Sequence, residues 1–240
     1  MKSEEKMTVF QLPDEFFFPD PSLAEPDGLL AVGGDLSPER LLAAYKNGIF
    51  PWYSEHEPIL WWSPDPRLVL FPQKFKVSHS LHQKIKKNVF SVRMDSDFEQ
   101  VISACAETER DHEKGTWITD EMKAAYIELY HKGFAHSVEC YSDGKLVGGL
   151  YGISIGKAFF GESMFHIMTD ASKVALFYLV EKAKEFDFLF IDSQVETKHL
   201  ISLGAELIPR EKYLKLLSEA IHFLSQKGKW RNGEIDRMFE

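Results

Sequence analysis

The sequence contains no apolar run approaching the roughly 18 residues needed to cross a bilayer. Its N-terminal residues are acidic and offer no apolar stretch followed by a small-residue cleavage site. Neither a membrane partner nor a secretory leader is expected, and the chain reads as cytoplasmic. Cysteine is scarce: Cys105 and Cys140 stand far apart and match no ligand spacing, which argues against a disulfide framework and a thiolate metal site. His79 and His82 have no acidic or thiol neighbour in the sequence, so no metal is expected there either. There is no nucleophile elbow of the G-x-S-x-G type and no P-loop, so neither an activated serine nor ATP is indicated.

What is present suffices for a packed core: 240 residues, 44% of them hydrophobic, allow one large domain or a small and a medium one. The net charge of −9 argues against a nucleic-acid partner on average, yet it hides a local exception. From Pro66 to Met94 there are seven basic residues, Arg67, Lys74, Lys76, Lys84, Lys86, Lys87 and Arg93, and no acidic one. One positive island in an acidic chain suits phosphate held in one place and repelled elsewhere; a solvated lysine-rich helix is the plainer alternative.

Punctuation divides the chain near Pro66, giving residues 1–65 and 66–240 as two expected domains. In the first, Ser37 caps a helix with Pro38 in its first position, closed by Gly48. Five aromatics between positions 50 and 62, interrupted by prolines, predict an ordered aromatic loop. In the second, Ser96 and Glu99 form a capping box ahead of a helix, and another helix runs from Asp120 to Lys132 before Gly133. The period then changes to two over 135–141, 146–154 and 158–165, with turns at Asp143-Gly144 and Gly156, predicting an antiparallel meander. A long helix over 171–185, a buried strand over 188–195, a short helix near 199–203, a strand around 206–209 and a helix over 211–226 complete an α+β arrangement with a mixed sheet.

The most informative polar residues stand in the strand 188–195. Asp192 and Gln194 are two apart, which places them on one face with Phe188 and Phe190. A carboxylate and an amide in a greasy strand must be paired or they cost several kcal/mol. They serve a strand-end hydrogen bond or mark a site. Glu162, flanked by Gly161 and Ser163, poses the same question, and Gly148-Gly149 leaves room for a ligand or a backbone. Together these suggest a cleft across the sheet.

Nine stretches resemble the bacterial leucyl/phenylalanyl-tRNA protein transferase family: 27–36 (DGLLAVGGDL), 47–52 (NGIFPW), 60–67 (LWWSPDPR), 115–118 (GTWI), 135–139 (AHSVE), 147–152 (VGGLYG), 161–165 (GESMF), 171–173 (ASK) and 191–194 (IDSQ). They span nearly the whole chain in the family's order. The resemblance implies a small N-terminal domain followed by a domain of the acyl-CoA N-acyltransferase (GNAT) type, and no cofactor. It implies a catalytic pair, Asp192 and Gln194, with Trp52, Trp117, Leu150 and Glu162 binding the aminoacyl-adenosine end and the acceptor. Lys84, Lys86 and Lys87 are implied to hold the tRNA. One departure stands out: His166-Ile167 follow Phe165 where the family usually has Ser-Arg.

The implied reaction moves leucine or phenylalanine, with methionine as a further candidate donor, from aminoacyl-tRNA onto the N-terminal arginine or lysine of an acceptor protein, creating an N-degron. A monomer is expected. Two rivals differ in chemistry. An acetyl-CoA-dependent acetyltransferase of the same fold normally carries an [R/Q]-x-x-G-x-[G/A] loop before the long helix, and residues 166–170 do not supply one. A non-catalytic binder of tRNA or N-degrons would not need Asp192 and Gln194.

Overall fold

The computed structural model describes residues 9–108 and 117–230. Its first part runs β1 (Phe10–Gln11), β2 (Leu29–Val32), α1 (Pro38–Lys46), β3 (Phe50–Pro51) and β4 (Leu60–Trp62), with the strands in the order β1-β2-β4-β3. Helix α1 begins where expected because the Ser37 hydroxyl accepts the Arg40 N–H. The aromatic segment is a strand pair, not a loop. Pro51 is accommodated because β3 lies at the sheet edge, where a missing N–H removes no ladder bond.

The second part begins with β5 (Arg67–Leu70), α2 (His79–Lys86), β6 (Ser91–Met94), α3 (Phe98–Glu107) and α4 (Asp120–His131). The meander follows as β7 (Ala135–Ser142), β8 (Lys145–Ile155) and β9 (Ala158–His166), then α5 (Ala171–Glu185), β10 (Phe190–Asp192), α6 (Lys198–Ser202), β11 (Glu206–Ile208) and α7 (Arg210–Ile221). Seven strands form one sheet in the order β11-β5-β10-β9-β8-β7-β6, antiparallel except where β10 runs parallel to β9. The expected α+β class, with a small N-terminal sheet ahead of a mixed-sheet unit, is observed. Apolar side chains fill both sides of the large sheet, and one core cluster extends into the first part of the chain, where Tyr45 of α1 meets Phe160 of β9.

Several local expectations are corrected. The basic stretch holds two strands besides its helix α2, which Ser78 caps by accepting the Leu81 N–H. No capping box forms at α3: Asp97 occupies the cap without a side-chain bond, and the Ser96 hydroxyl donates to the Met94 carbonyl. Of the two alternatives at Gly148-Gly149, backbone and not ligand comes close: a Cβ would lie 2.5 Å from the Ala171 Cβ and 3.2 Å from the Phe165 carbonyl oxygen at Gly148, and 2.7 Å from the Val138 carbonyl oxygen at Gly149. Helix α7 ends at Ile221; further on, the Trp230 ring stacks on His136 with centroids 3.8 Å apart.

The largest correction concerns the strand expected over 188–195. Phe188 belongs to the close of α5, donating its N–H to the Ala183 carbonyl, and Gln194 has φ of +54°, which ends extended structure. Only three residues remain in β10, so alternation does not carry from Asp192 to Gln194. Beyond Asp192, β9 continues alone to His166, and the two parallel strands part company. That divergence opens the sheet.

Candidate active site

A cavity of about 450 Å³ occupies the opening. Phe50, Pro51 and Trp52 of the small sheet close one side, β9 residues 161–164 another, and Ser193, Gln194 and Val195 a third. The size and predominantly apolar lining are those of small-molecule sites. Of the residues singled out in the sequence, Trp52, Trp117, Leu150, Glu162 and Gln194 all line it. Gly115 and Thr116, which precede Trp117 in its motif, lie outside the described residues. Trp52 is braced by Trp62, with ring centroids 5.9 Å apart and the Trp62 indole N–H donating to the Trp52 carbonyl oxygen.

Glu162 owes its position to a β-bulge. Tyr151 pairs with Ser163 and the next residue, Gly152, with Gly161, so Glu162 is the extra residue of β9 and has no partner across the ladder. Bulges re-aim a side chain in this way. Its Oε1 accepts from the Gln194 side-chain amide at 3.2 Å, and its Oε2 accepts from the Tyr126 hydroxyl at 2.9 Å. Tyr126 is hydrogen-bonded in turn to the buried Tyr45 hydroxyl. Burial pushes the Glu162 carboxyl up to about 7; the tyrosine bonds and Arg67 oppose that rise, while the Asp192 charge adds to it.

Asp192 lies behind the cavity wall rather than in it. It is fully buried, and its oxygens accept from Arg67 Nε at 2.9 Å, Arg67 Nη2 at 2.8 Å and the Tyr213 hydroxyl at 2.7 Å. The Arg67 guanidinium lies against Phe50 and Tyr213, 4.8 and 4.6 Å from their ring centres. Burial would favour neutral Arg67, but the Asp192 charge prevails and holds its pKa above the ordinary value. Asp192 Oδ1 also accepts the backbone N–H of Gln194 at 3.0 Å. The carboxylate thus fixes the turn that aims the Gln194 amide, although the two side chains do not share a face.

The three lysines divide. Lys84 is engaged by Asp170 at 2.7 Å and by the Thr169 carbonyl at 3.3 Å, whereas Lys86 and Lys87 are exposed at the end of α2. Two more members of the basic island are paired in space, Arg67 with Asp192 and Lys74 with Glu206. The island visible in the sequence is therefore smaller on the surface.

Arg67, Tyr213, Tyr45, Tyr126 and the cavity-lining His199 were not marked by sequence reasoning as site residues. For Arg67 a signal existed: a single arginine heading the apolar strand β5 mirrors the single aspartate ending β10. For the tyrosines none did. Among the described residues no cluster of His, Cys, Asp or Glu suits a metal, and no helix is long and apolar enough to cross a membrane.

Comparison with known proteins matches residues 69–218 to the family model described as leucyl/phenylalanyl-tRNA protein transferase, and residues 34–65 to the N-terminal domain of that family. A leucyl/phenylalanyl-tRNA protein transferase of Desulfatibacillum aliphaticivorans is 55% identical over 224 residues, 93% of this chain and 96% of the relative. One from Thermodesulfovibrio yellowstonii is 56% identical over 234 residues, 98% and 93% of the two chains. Among solved structures, a GCN5-related N-acetyltransferase-like protein from Streptococcus suis matches with a TM-score of 0.32 and 14% identity, over 59% of this chain and 57% of that one. A likeness that distant bears on no mechanism.

Proposed function

The chain belongs to the leucyl/phenylalanyl-tRNA protein transferase family, and from that membership we infer that it transfers leucine or phenylalanine from aminoacyl-tRNA to protein. It is an aminoacyltransferase. The observation that best supports this reading is the apolar cavity ending on the hydrogen-bonded side chains of Gln194 and Glu162, an apolar pocket with a polar end of the kind an ester of a bulky apolar amino acid requires.

An aminoacyl-tRNA is already an activated ester, so the reaction needs no nucleotide. The attacking α-amine has a reference pKa near 8, which leaves roughly a tenth or more neutral at pH 7. What remains is to orient amine and ester and to stabilise the developing oxyanion, tasks worth several kcal/mol each when preorganised. In this reading Trp52, Trp117 and Leu150 hold the donor side chain and the adenosine. Glu162 meets the reacting end, and the Gln194 amide contacts the amine or the carbonyl. Asp192 acts through Gln194 and Arg67 as a positioning residue of the pair. Selection by fit alone gives about 1–3 kcal/mol per methylene, enough to prefer leucine or phenylalanine over valine but modest among large apolar donors.

Lys86 and Lys87 are the cations offered to the tRNA, with Lys84 contributing once released from Asp170. Acceptors beginning with arginine or lysine suit the acidic net charge of −9, and the bulky N-terminus they acquire would mark them for proteolysis. We place the protein in the cytosol with its tRNA substrate and read it as a monomer of two domains, 1–65 and 66–240, because the small sheet ends at Trp62 and the large one begins at Arg67.

The test is transfer of labelled leucine or phenylalanine from tRNA to an arginine-initiated peptide without ATP. Acetyl-CoA is expected to be inert. Acetyl transfer, or tRNA binding without transfer, would overturn the reading.

A further inference from the structure

The cavity wall holds one carboxylate that is both accessible and incompletely used. Asp192 cannot serve, because its two oxygens accept four hydrogen bonds from Arg67, Tyr213 and the Gln194 backbone. An ionised carboxylate offers about four acceptor sites, so Asp192 is saturated. Glu162 accepts from the Tyr126 hydroxyl and the Gln194 amide, with the Tyr45 hydroxyl also beside it, which leaves acceptor capacity on a carboxylate that lines the cavity. The bulge frees Glu162 from the ladder and places this carboxylate on the cavity wall, the space where the ester would lie.

We propose that Glu162 is a catalytic residue of the transfer, taking the proton that the attacking amine loses and delivering it to the departing ribose oxygen. The proposal rests on the transfer reading above. The amine lone pair forms the C–N bond at the ester carbonyl carbon, and the carbonyl electron pair moves onto its oxygen. The nitrogen, now cationic, loses a proton to a Glu162 oxygen. The carbonyl re-forms as the C–O bond to the ribose breaks, and the leaving oxygen takes the same proton. Amine and ester become amide and alcohol, Glu162 ends as it began, and no further reactant is needed. The Gln194 amide, donating to Oε1, keeps the carboxylate oriented and is itself close enough to follow the charge.

The surroundings suit a group that must both accept and release a proton near neutrality. Burial raises its pKa to about 7, which matches the operating range of a general acid and base. Facing it are Tyr45 on α1 and Tyr126 on α4, whose hydrogen bonds favour the ionised form, and the buried Arg67 on β5, whose charge does the same. Asp192 on β10 opposes ionisation. Tyr151 on β8 packs against Tyr126, and Tyr213 on α7 is spent on Asp192. His199 on α6 is the other titratable group on the cavity wall outside the tyrosines; burial lowers its pKa, with Lys173 and His166 adding to that.

The decisive experiment is single-turnover transfer from leucyl-tRNA across pH, on the wild type, Glu162→Gln, Tyr126→Phe and His199→Asn, with melting and tRNA affinity measured on the same preparations. The wild-type rate should rise with pH through about 7, in addition to any titration of the acceptor amine nearer 8. Glu162→Gln should bind tRNA normally and lose the rate by roughly 100-fold or more, together with the limb near 7. Tyr126→Phe removes a donor that favours ionisation, so the limb should move to higher pH, a shift the amine of the peptide cannot produce. It therefore tests the assignment even if Glu162→Gln folds poorly. A limb that stays in place in both variants, or that disappears in His199→Asn instead, overturns the assignment to Glu162. A wild type that fails to transfer at any pH overturns the transfer reading itself, a result distinct from an active wild type matched by an equally active Glu162→Gln.

Discussion

Asp192 and Arg67, 125 residues apart in sequence, form a doubly hydrogen-bonded ion pair with both side chains fully buried. Two fixed N–H···O bonds at 2.9 and 2.8 Å match the planar guanidinium to the carboxylate. The pair joins β5 to β10 beneath the cavity and, through the Gln194 N–H, sets the turn at its edge.

Breaking this pair should damage stability and activity together. Asp192→Asn leaves Arg67 buried without its counter-charge, a loss on the order of 3–5 kcal/mol. For a chain of this size that corresponds to a fall in melting temperature of roughly 10 °C. Transfer should drop as well, because Gln194 loses its anchor. Calorimetry beside a single-turnover assay checks this. A variant melting like the wild type would show that the pair is not what holds the strands.

Gln194→Ala should separate the two effects. The side chain lies at the cavity edge and bonds only to Glu162 among the described residues, so its removal should leave the melting temperature nearly unchanged. The transfer rate should fall by about 100-fold, the scale of one positioned polar group at a reacting centre. An equal loss in tRNA affinity would instead assign Gln194 to binding.

The lysines should not behave alike. Lys86→Ala combined with Lys87→Ala is expected to weaken tRNA binding and to lower the salt dependence by about one unit per lost phosphate contact. Lys84→Ala should change the salt slope less, because Asp170 already neutralises it in the free protein. Filter binding over a salt series distinguishes them. A larger slope change for Lys84 than for its neighbours would mean that tRNA displaces Asp170.

Stability should fall as pH rises from about 4.5 to about 7 and level off above that. Glu139 on β7 is fully buried, with Oε1 accepting from the Ser137 hydroxyl, and burial pushes its carboxyl from 4.5 up to about 7. Between those values the folded state holds a proton that the unfolded state has released. Unfolding thus becomes easier as pH rises, by on the order of 3 kcal/mol once above 7. Glu162 adds a contribution of the same sign. Melting curves at pH 5 and pH 8 should show a smaller drop for Glu139→Gln than for the wild type; equal drops would place the titrating group elsewhere.

Much of this molecule was readable as a string because its elements are bounded by local chemistry. Ser37-Pro38 starts α1, Asp143-Gly144 turns the meander, and α5 runs over the residues expected from its pattern, since a cap or a turn needs only its immediate neighbours. The family motifs likewise brought Trp52, Trp117, Leu150, Glu162 and Gln194 to notice, and all five line one cavity. What the string could not decide is every relation that depends on distant residues. Strand parity put Asp192 and Gln194 on one face, but the left-handed turn at Gln194 ends the alternation, and Arg67 from another strand turns Asp192 into a buried anchor. The basic island lost Arg67, Lys74 and Lys84 to acids brought close only by folding. The bulge at Glu162 exists only because β8 pairs one residue out of step with β9, a property of two strands in register and not of either sequence alone.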